Sequence, residues 1–273
     1  MSSFEDYIRI TRPNICVLAW FAFLIGAFII GLNIFSLIFI LSSISVLMIC
    51  AGGNIINDYF DYEIDKINKP KRPLPSGRIY LKNVLIFYLI VNIFALIVAY
   101  LVNIYFFTLV IVNILTAFIY SYKLKRMLLI GNIIDSYLAS VCFVAPILIY
   151  NSFTFIVNSP LFILGLIAFF GNFSREIIKD IEDVKGDKDL GAYTLPIAFG
   201  KDNAWLIAKI LILIALILGV LPYYYDYVSV LYFAGYIPAI ILCISSFNKD
   251  AAKSQKRIKK AMFALLIGFL IGL

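Results

Sequence analysis

Long apolar runs, each broken by a few polar residues, set the pattern of this chain. Nine of them are long enough, or nearly so, to cross a hydrocarbon core of roughly 20 helical residues. They predict helices at about 14–32, 36–57, 83–101, 103–121, 128–149, 160–178, 203–223, 228–247 and 258–273. The breaks between them alternate in character. The turns near Asn33 and Asn103, at Asn151 to Ser159 and at Tyr224 to Tyr227 contain no lysine or arginine. The opposite set carries Arg9 and Arg12, Lys66 to Lys82, Lys123 to Arg126, Arg175 to Lys201 and Lys249 to Lys260. Positive charge gathers on cytoplasmic loops. The expected protein is therefore an all-α, multi-pass bundle in the cell membrane, with the N-terminus inside and the C-terminus outside. Met1 to Arg12 is polar, so the first apolar run is expected to open the bundle and not to serve as a cleavable leader.

Composition sharpens this reading at three points. Only 14% of residues are charged against 63% hydrophobic, well off the soluble norm of about 25% charged. The +7 net charge follows from the one-sided loops, so no nucleic-acid partner is expected. Histidine is absent, which removes imidazole acid–base chemistry and most transition-metal sites. The four cysteines, Cys16, Cys50, Cys142 and Cys243, lie within apolar runs without CxxC spacing and read as small buried hydrophobes.

The informative polar residues sit where two apolar runs end. On one continuous helix Asn54, Asp58, Asp61 and Asp65 would share a stripe ~60° wide, flanked by Asn57. Asp180, Asp183 and Asp187 repeat the spacing of Asp58, Asp61 and Asp65, each 122 residues later. The same offset sets Glu176 on Asn54 and Lys179 on Asn57. This predicts one domain over 1–273 built from two four-helix pseudo-repeats, about 14–126 and 128–257, with a last helix at 258–273. Clustered carboxylates repel unless a cation lies among them, and an all-oxygen donor set suits magnesium. Magnesium is usually held by a few carboxylates together with substrate phosphate oxygens. Two such stripes facing each other would clamp a magnesium-bound diphosphate. Lys71, Arg72, Lys123, Lys125, Arg126, Arg175 and Lys179 are candidate phosphate contacts, although positive-inside placement accounts for part of this set. Ordinary solvated helix ends are the plainer account of the acids.

At these residues the chain resembles a known family. NDYFDYEID (Asn57 to Asp65) and KDIEDVKGD (Lys179 to Asp187) look like the paired aspartate motifs of UbiA-type intramembrane prenyltransferases. YSYKLK (Tyr120 to Lys125) and RPN (Arg12 to Asn14) resemble two of their shorter signatures. The resemblance implies a helical bundle around a central cavity, with Mg²⁺ and prenyl diphosphate at its cytoplasmic mouth. By position it gives Asn57, Asp58, Asp61 and Asp65, with Asp180, Asp183 and Asp187, the metal-binding role. Asp61, Asp65, Asp183 and Asp187 are the catalytic candidates among them. Arg72, Lys123, Lys179 and Arg175 take diphosphate contacts. NKPKRPLPSGR (Asn68 to Arg78) is similar to archaeal digeranylgeranylglyceryl phosphate synthases and also to chlorophyll synthases. Short loops and the lack of a transit segment favour the archaeal lipid branch.

The implied reaction is Mg²⁺-dependent transfer of a geranylgeranyl group from its diphosphate to the hydroxyl of geranylgeranylglyceryl phosphate. Aromatic quinone precursors or chlorophyllide are the alternative acceptors for the same chemistry. The acceptor phosphate would need cations of its own. Arg9 and Arg12, one turn apart, are candidates that would share a helical face, and membrane anchoring is the other reading of both. Asp135, inside the fifth run, is placed near the acceptor or serves as a structural hydrogen-bond partner. Membrane lipids are expected neighbours, and no obligatory protein partner is apparent. A cation transporter and a CDP-alcohol phosphotransferase are rival classes. Acids gathered at one membrane face argue against the first, and the missing DG…AR…G…D pattern against the second.

Overall fold

The structure, a computed structural model, describes residues 4–150, 160–189, 191–247 and 250–273. Among these residues every regular element is helical. The longer helices are α1 (Phe4–Thr11), α2 (Pro13–Ile29), α3 (Leu37–Phe60), α4 (Tyr62–Asn68), α5 (Leu81–Val102), α6 (Ile104–Tyr122), α7 (Ile130–Val144) and α8 (Pro160–Asp189). They continue with α9 (Leu195–Phe199), α10 (Lys201–Leu218), α11 (Leu221–Tyr224), α12 (Phe233–Ser245) and α13 (Ala251–Gly272). A helix occupies each of the nine apolar runs. Among the described residues six spans are long and apolar enough to cross a membrane, and a seventh qualifies if α1 and α2, bent by 47°, are taken together.

The burial pattern of α5 shows what surrounds these helices. Val84, Tyr88, Val91, Ala95 and Val98 face inward, each 7% exposed or less, at helical spacing. The opposite stripe, Ile86, Ile90, Ile93 and Ile97, is 46–59% exposed and equally apolar. A water-facing stripe would be polar. This one faces lipid, and the chain is a multi-pass membrane protein.

The helices sort into two compact units. The first holds the described residues of 1–27, 31–123 and 145–153. Here α3 packs against α5 and α6, and α1 lies along α3. Ile10, Ile55, Ile56, Leu74, Ile79 and Val84, each 1% exposed or less, form its core beneath the polar end of α3. Asn103 makes the α5–α6 turn with a single side chain. Its Oδ1 accepts from Phe106 N at 2.8 Å, and its Nδ2 donates to Leu148 O and Ile149 O at 3.0 and 2.9 Å. That satisfies one of the orphan amides at the start of α6.

The second unit holds the described residues of 28–30, 124–144 and 154–273. α8 packs on α7, α10 and α13, and α12 packs on α13. Ile177, Ile178, Ile181, Trp205, Ala208 and Ile212 form its core. α12 and α13 touch through glycine. A Cβ on Gly235 would lie 2.2 Å from Ala264 O and 2.5 Å from the Gly268 backbone. Such backbone contact is open only to a residue without a side chain.

Several expected boundaries move. The fifth run is α-helical only to Val144 and continues as 3₁₀ helix from Ala145 to Tyr150, across Pro146. The last helix begins at Ala251, seven residues before the expected start. Asp250 caps it by accepting from Lys253 N at 3.0 Å, and the hydrogen bonds from Lys253 hold its carboxyl below the usual aspartate range. The run expected at 228–247 is a 3₁₀ turn, Val230–Tyr232, followed by α12 with Pro238 inside it.

Candidate functional site

The first acid cluster forms where α3 stops. The helix ends at Phe60, Asp61 adopts φ −84° and ψ 0°, and α4 starts at Tyr62. The expected single stripe is therefore split over two helices with Asp61 at the joint. Asn57 Nδ2 donates to Asp61 Oδ2 at 3.1 Å, across that joint. Asp58 and Asp65 are 5% and 3% exposed. Carboxylates this buried require compensation, and arginine supplies it. Arg72 Nη1 lies 2.6 Å from Asp65 Oδ2 and 3.2 Å from Asp58 Oδ1. Arg12 donates to the same Asp58 oxygen. Lys69 approaches Asp65 from the exposed side, at 3.9 Å.

Arg12 reaches Asp58 because the chain breaks there. It sits between α1 and α2 with φ 52°, ahead of Pro13. Asn54 Nδ2 fixes the break by donating to Thr11 O at 2.9 Å. This corrects the expected shared face of Arg9 and Arg12. Arg9 stays on α1, paired with Glu5 at 2.5 Å, while Arg12 joins the acids. Lys123 caps the end of α6 and is exposed.

The second cluster lies on the last turns of α8, which runs unbroken to Asp189. Its Asp180, Asp183 and Asp187 thus keep the helical spacing that the first set loses. Asn132 of α7 donates through Nδ2 to Asp180 Oδ2 at 2.7 Å. Asp183 is exposed and Asp187 partly so. Glu176, 5% exposed, takes Arg175 on one oxygen and Lys179 Nζ on the other, the latter at 3.0 Å. Arg175 Nε also donates to Asn172 Oδ1 at 3.1 Å, and Asn172 Nδ2 donates to Asp135 Oδ2 at 2.9 Å. Asp135, Asn172, Arg175, Glu176 and Lys179 thus form one chain of contacts with two formal charges of each sign.

Two acid clusters at the ends of long apolar helices, each interleaved with cations, match a family pattern over most of the sequence. The UbiA prenyltransferase family model matches residues 18–268. The chain belongs to the UbiA prenyltransferase family. It is 41% identical over 269 residues to a digeranylgeranylglyceryl phosphate synthase of Methanosphaera stadtmanae, covering 98% of this chain and 96% of that one. A solved structure that gives insight into digeranylgeranylglyceryl phosphate synthase in membranes aligns with TM-score 0.82 and 34% identity, over 100% of this chain and 99% of that one. The fold also matches a UbiA homologue from Archaeoglobus fulgidus bound to DMAPP and Mg²⁺, with TM-score 0.68 and 20% identity, over 95% and 99% of the two chains.

The Archaeoglobus fulgidus homologue holds Mg²⁺, and the donors of this chain can be compared with what such an ion takes. Around Asp61 every candidate ligand is oxygen, from Asn57, Asp58, Asp61 and Asp65, in a chain without histidine. Among the described residues no three carboxylates converge into a cage that would hold an ion alone. Arg72 lies between Asp58 and Asp65 instead, a protein cation standing where positive charge is demanded. That fits magnesium, which takes few protein ligands and completes its shell with water and phosphate. Glu176 and Asn132 were absent from the expected site. The signal for Glu176 was its 122-residue offset from Asn54; for Asn132 it was an amide in an apolar run.

Proposed function

We propose that this prenyltransferase moves a geranylgeranyl group from geranylgeranyl diphosphate to the hydroxyl of geranylgeranylglyceryl phosphate, as in archaeal ether-lipid synthesis. The observation that carries the chemistry is Arg72 held between two buried aspartates, Asp58 on the last turn of α3 and Asp65 on α4. The full-length likeness to digeranylgeranylglyceryl phosphate synthases supports this choice of donor and acceptor.

In this reading Asn57, Asp61 and Asp65, with Asp180, Asp183 and Asp187, supply magnesium-holding oxygens. Bound magnesium neutralises charge that builds on the leaving diphosphate. Arg72, Arg175 and Lys179 add positive charge, and Lys123 borders the same end of the first unit. Arg12 is reassigned from the acceptor to this donor side, because it shares Asp58 with Arg72. The allylic C–O bond breaks with its electron pair leaving on the diphosphate. The acceptor hydroxyl oxygen then bonds to the allylic carbon and loses its proton to water or to the released diphosphate. The prenyl tail lies among apolar helices, where each buried CH₂ contributes about 0.8 kcal/mol.

The finer architecture belongs to the same proposal. Nine helices cross the membrane as two four-helix pseudo-repeats and a last span. The N-terminus and both acid clusters are cytoplasmic, and the C-terminus is outside. The test is purified protein with labelled geranylgeranyl diphosphate, Mg²⁺ and three acceptors: geranylgeranylglyceryl phosphate, 4-hydroxybenzoate and chlorophyllide. Product from the lipid phosphate alone is expected. Preference for either aromatic acceptor overturns the assignment.

A further inference from the structure

Two acids lie within the helices of the second unit, and the donor chemistry has used neither. Asp135 is on α7 and Glu176 on α8, in spans long and apolar enough to cross a membrane. A charge at such depth is expensive and persists where it serves a site. Glu176 has a side chain only 6% exposed, and cations of its own helix take both of its oxygens. Oε1 accepts from Arg175 Nη2, and Oε2 accepts from Lys179 Nζ at 3.0 Å. The two cations reach further out, with side chains 26% and 42% exposed. The carboxylate is therefore the fixed point, and the cations are the ends open to a ligand.

Behind Glu176 the support is one-sided. Asn172, 4% exposed, accepts through Oδ1 from Arg175 Nε at 3.1 Å and donates through Nδ2 to Asp135 Oδ2 at 2.9 Å. These bonds occupy two of the five N–H groups of Arg175, at Nε and Nη2. The fork is oriented at two points and keeps donors for an anion. Lys179 is a point charge on a flexible stem, and Glu176 is what steadies it. Arg175 and Lys179 are four residues apart on α8, about 6 Å along its axis, and Asp183 follows at the same interval. Cations fixed in that row can meet a diphosphate held beside the acids without losing rotamer freedom at the moment it binds.

We propose that Glu176 is a positioning residue for the donor. It presents Arg175 and Lys179 to the diphosphate, and Asp135 acts behind it, through Asn172, on Arg175 alone. The inference rests on the donor contacts of the proposed function and adds what orders them. It also moves Asp135 from the acceptor side, where the sequence set it, to the donor side. The opposite behaviour is well defined. An acid that served only as a counter-ion would repel the diphosphate, and its removal would tighten donor binding.

The test uses the full-length protein in nanodiscs with saturating Mg²⁺. It reads the KM for geranylgeranyl diphosphate, the KM for geranylgeranylglyceryl phosphate, and direct binding of a thiolodiphosphate analogue of the donor that resists cleavage. The analogue reports on the donor whatever the acceptor is. Glu176→Gln is expected to raise the donor KM and the analogue's Kd about tenfold, the scale of one charge-assisted hydrogen bond, with the acceptor KM within about twofold of wild type. Asp135→Asn should raise the same two constants about threefold. In the Arg175→Gln/Lys179→Gln double variant nothing is left to position, so Glu176→Gln should add no further change. Glu176→Asp keeps the charge on a shorter stem. It should keep part of the binding, and it carries the test if the glutamine variant does not fold. A fall in donor KM in Glu176→Gln makes the acid a counter-ion and overturns the proposal. A lower Tm with donor KM unchanged, an equal rise in acceptor KM, or a further tenfold loss in the double variant overturns it as well. If Arg175→Gln and Lys179→Gln both leave donor KM and analogue binding at wild type, the donor contacts of the proposed function fall and the positioning with them. If those two variants weaken donor binding and the Glu176 variants do not, only the positioning falls.

Discussion

Replacing Arg72 with glutamine removes the cation between two carboxylates that are almost wholly buried. The structure sets the scale. At an effective dielectric of 20, contacts of 2.6 and 3.2 Å correspond to gross attractions of about 6 and about 5 kcal/mol. Desolvation of the three groups offsets most of this. Breaking a buried pair by removing one partner costs about 3–5 kcal/mol, because the other charge is stranded. Asp58 keeps Arg12 after the substitution, and Asp65 keeps only Lys69 at 3.9 Å. The loss therefore falls near the lower end, about 3 kcal/mol. For a chain of this size that lowers Tm by roughly 6–12 °C. Arg72→Lys keeps one charge but not the bridging geometry, so its loss is expected to be smaller.

The assay is thermal unfolding in detergent or nanodiscs, with and without millimolar Mg²⁺, and with sodium chloride at matched ionic strength as control. A cation that binds only the folded protein stabilises it by mass action. In Arg72→Gln the two acids lack their bridging cation, so Mg²⁺ should raise Tm more than it does in wild type. Sodium should not reproduce the gain, because screening acts weakly on buried charges. A variant as stable as wild type and indifferent to Mg²⁺ would refute the reasoning, since neither acid would then be an ionised group in need of a counter-charge.

Other side chains carry equally direct expectations. Asp61→Asn or Asp183→Asn should abolish Mg²⁺-dependent prenyl transfer while size-exclusion profile and Tm stay near wild type; full activity in either removes that residue from the metal set. Asp226→Asn should be close to silent in both assays, because Asp226 has φ 57° and asparagine tolerates that conformation. Gly52→Ala should destabilise by about 1–3 kcal/mol, since its Cβ would lie 2.7 Å from Asn92 Nδ2, and a Tm equal to wild type would mean that Asn92 moves aside freely. For orientation, single cysteines at exposed Ser76 and Lys256 should react with an impermeant maleimide only from the cytoplasmic side, and one at exposed Phe35 only from outside; labelling of Ser76→Cys from outside inverts the proposed topology.

What could be read from the sequence depended on the range of the interaction. Apolar runs are local, and a helix lies on every one that the pattern marked. Breaks caused by a neighbour in sequence were also legible in principle. Proline disfavours helical geometry in the residue before it, and Arg12 precedes Pro13 at the bend between α1 and α2. The early start of α13 was hidden for a different reason. Lys253, Gln255, Lys256 and Arg257 lower the apolar signal yet are good helix formers.

The acid clusters mark where such reading stops. Spacing alone treats Asp58, Asp61 and Asp65 like Asp180, Asp183 and Asp187, yet only the second set lies on one helix. No glycine or proline separates Asp58 from Asp65 to announce the break. The difference lies in the partners. Asp58 is neutralised by Arg12, 46 residues before it, and by Arg72, 14 residues after it. Asp65 shares Arg72, so α4 must turn to bring Asp58 and Asp65 to one guanidinium. In the second unit Glu176 draws its cations from positions 175 and 179 of its own helix, and Asp180 takes an amide from α7. Compensation within one helix lets that helix run straight. Compensation from distant arginines comes with a hinge here, and Asn57 Nδ2 donates to Asp61 Oδ2 across it. Asp58, shared by Arg12 and Arg72, is the acid of the first cluster that holds both arginines in place, and neutralising it should loosen the α1–α2 break and the loop after α4 together.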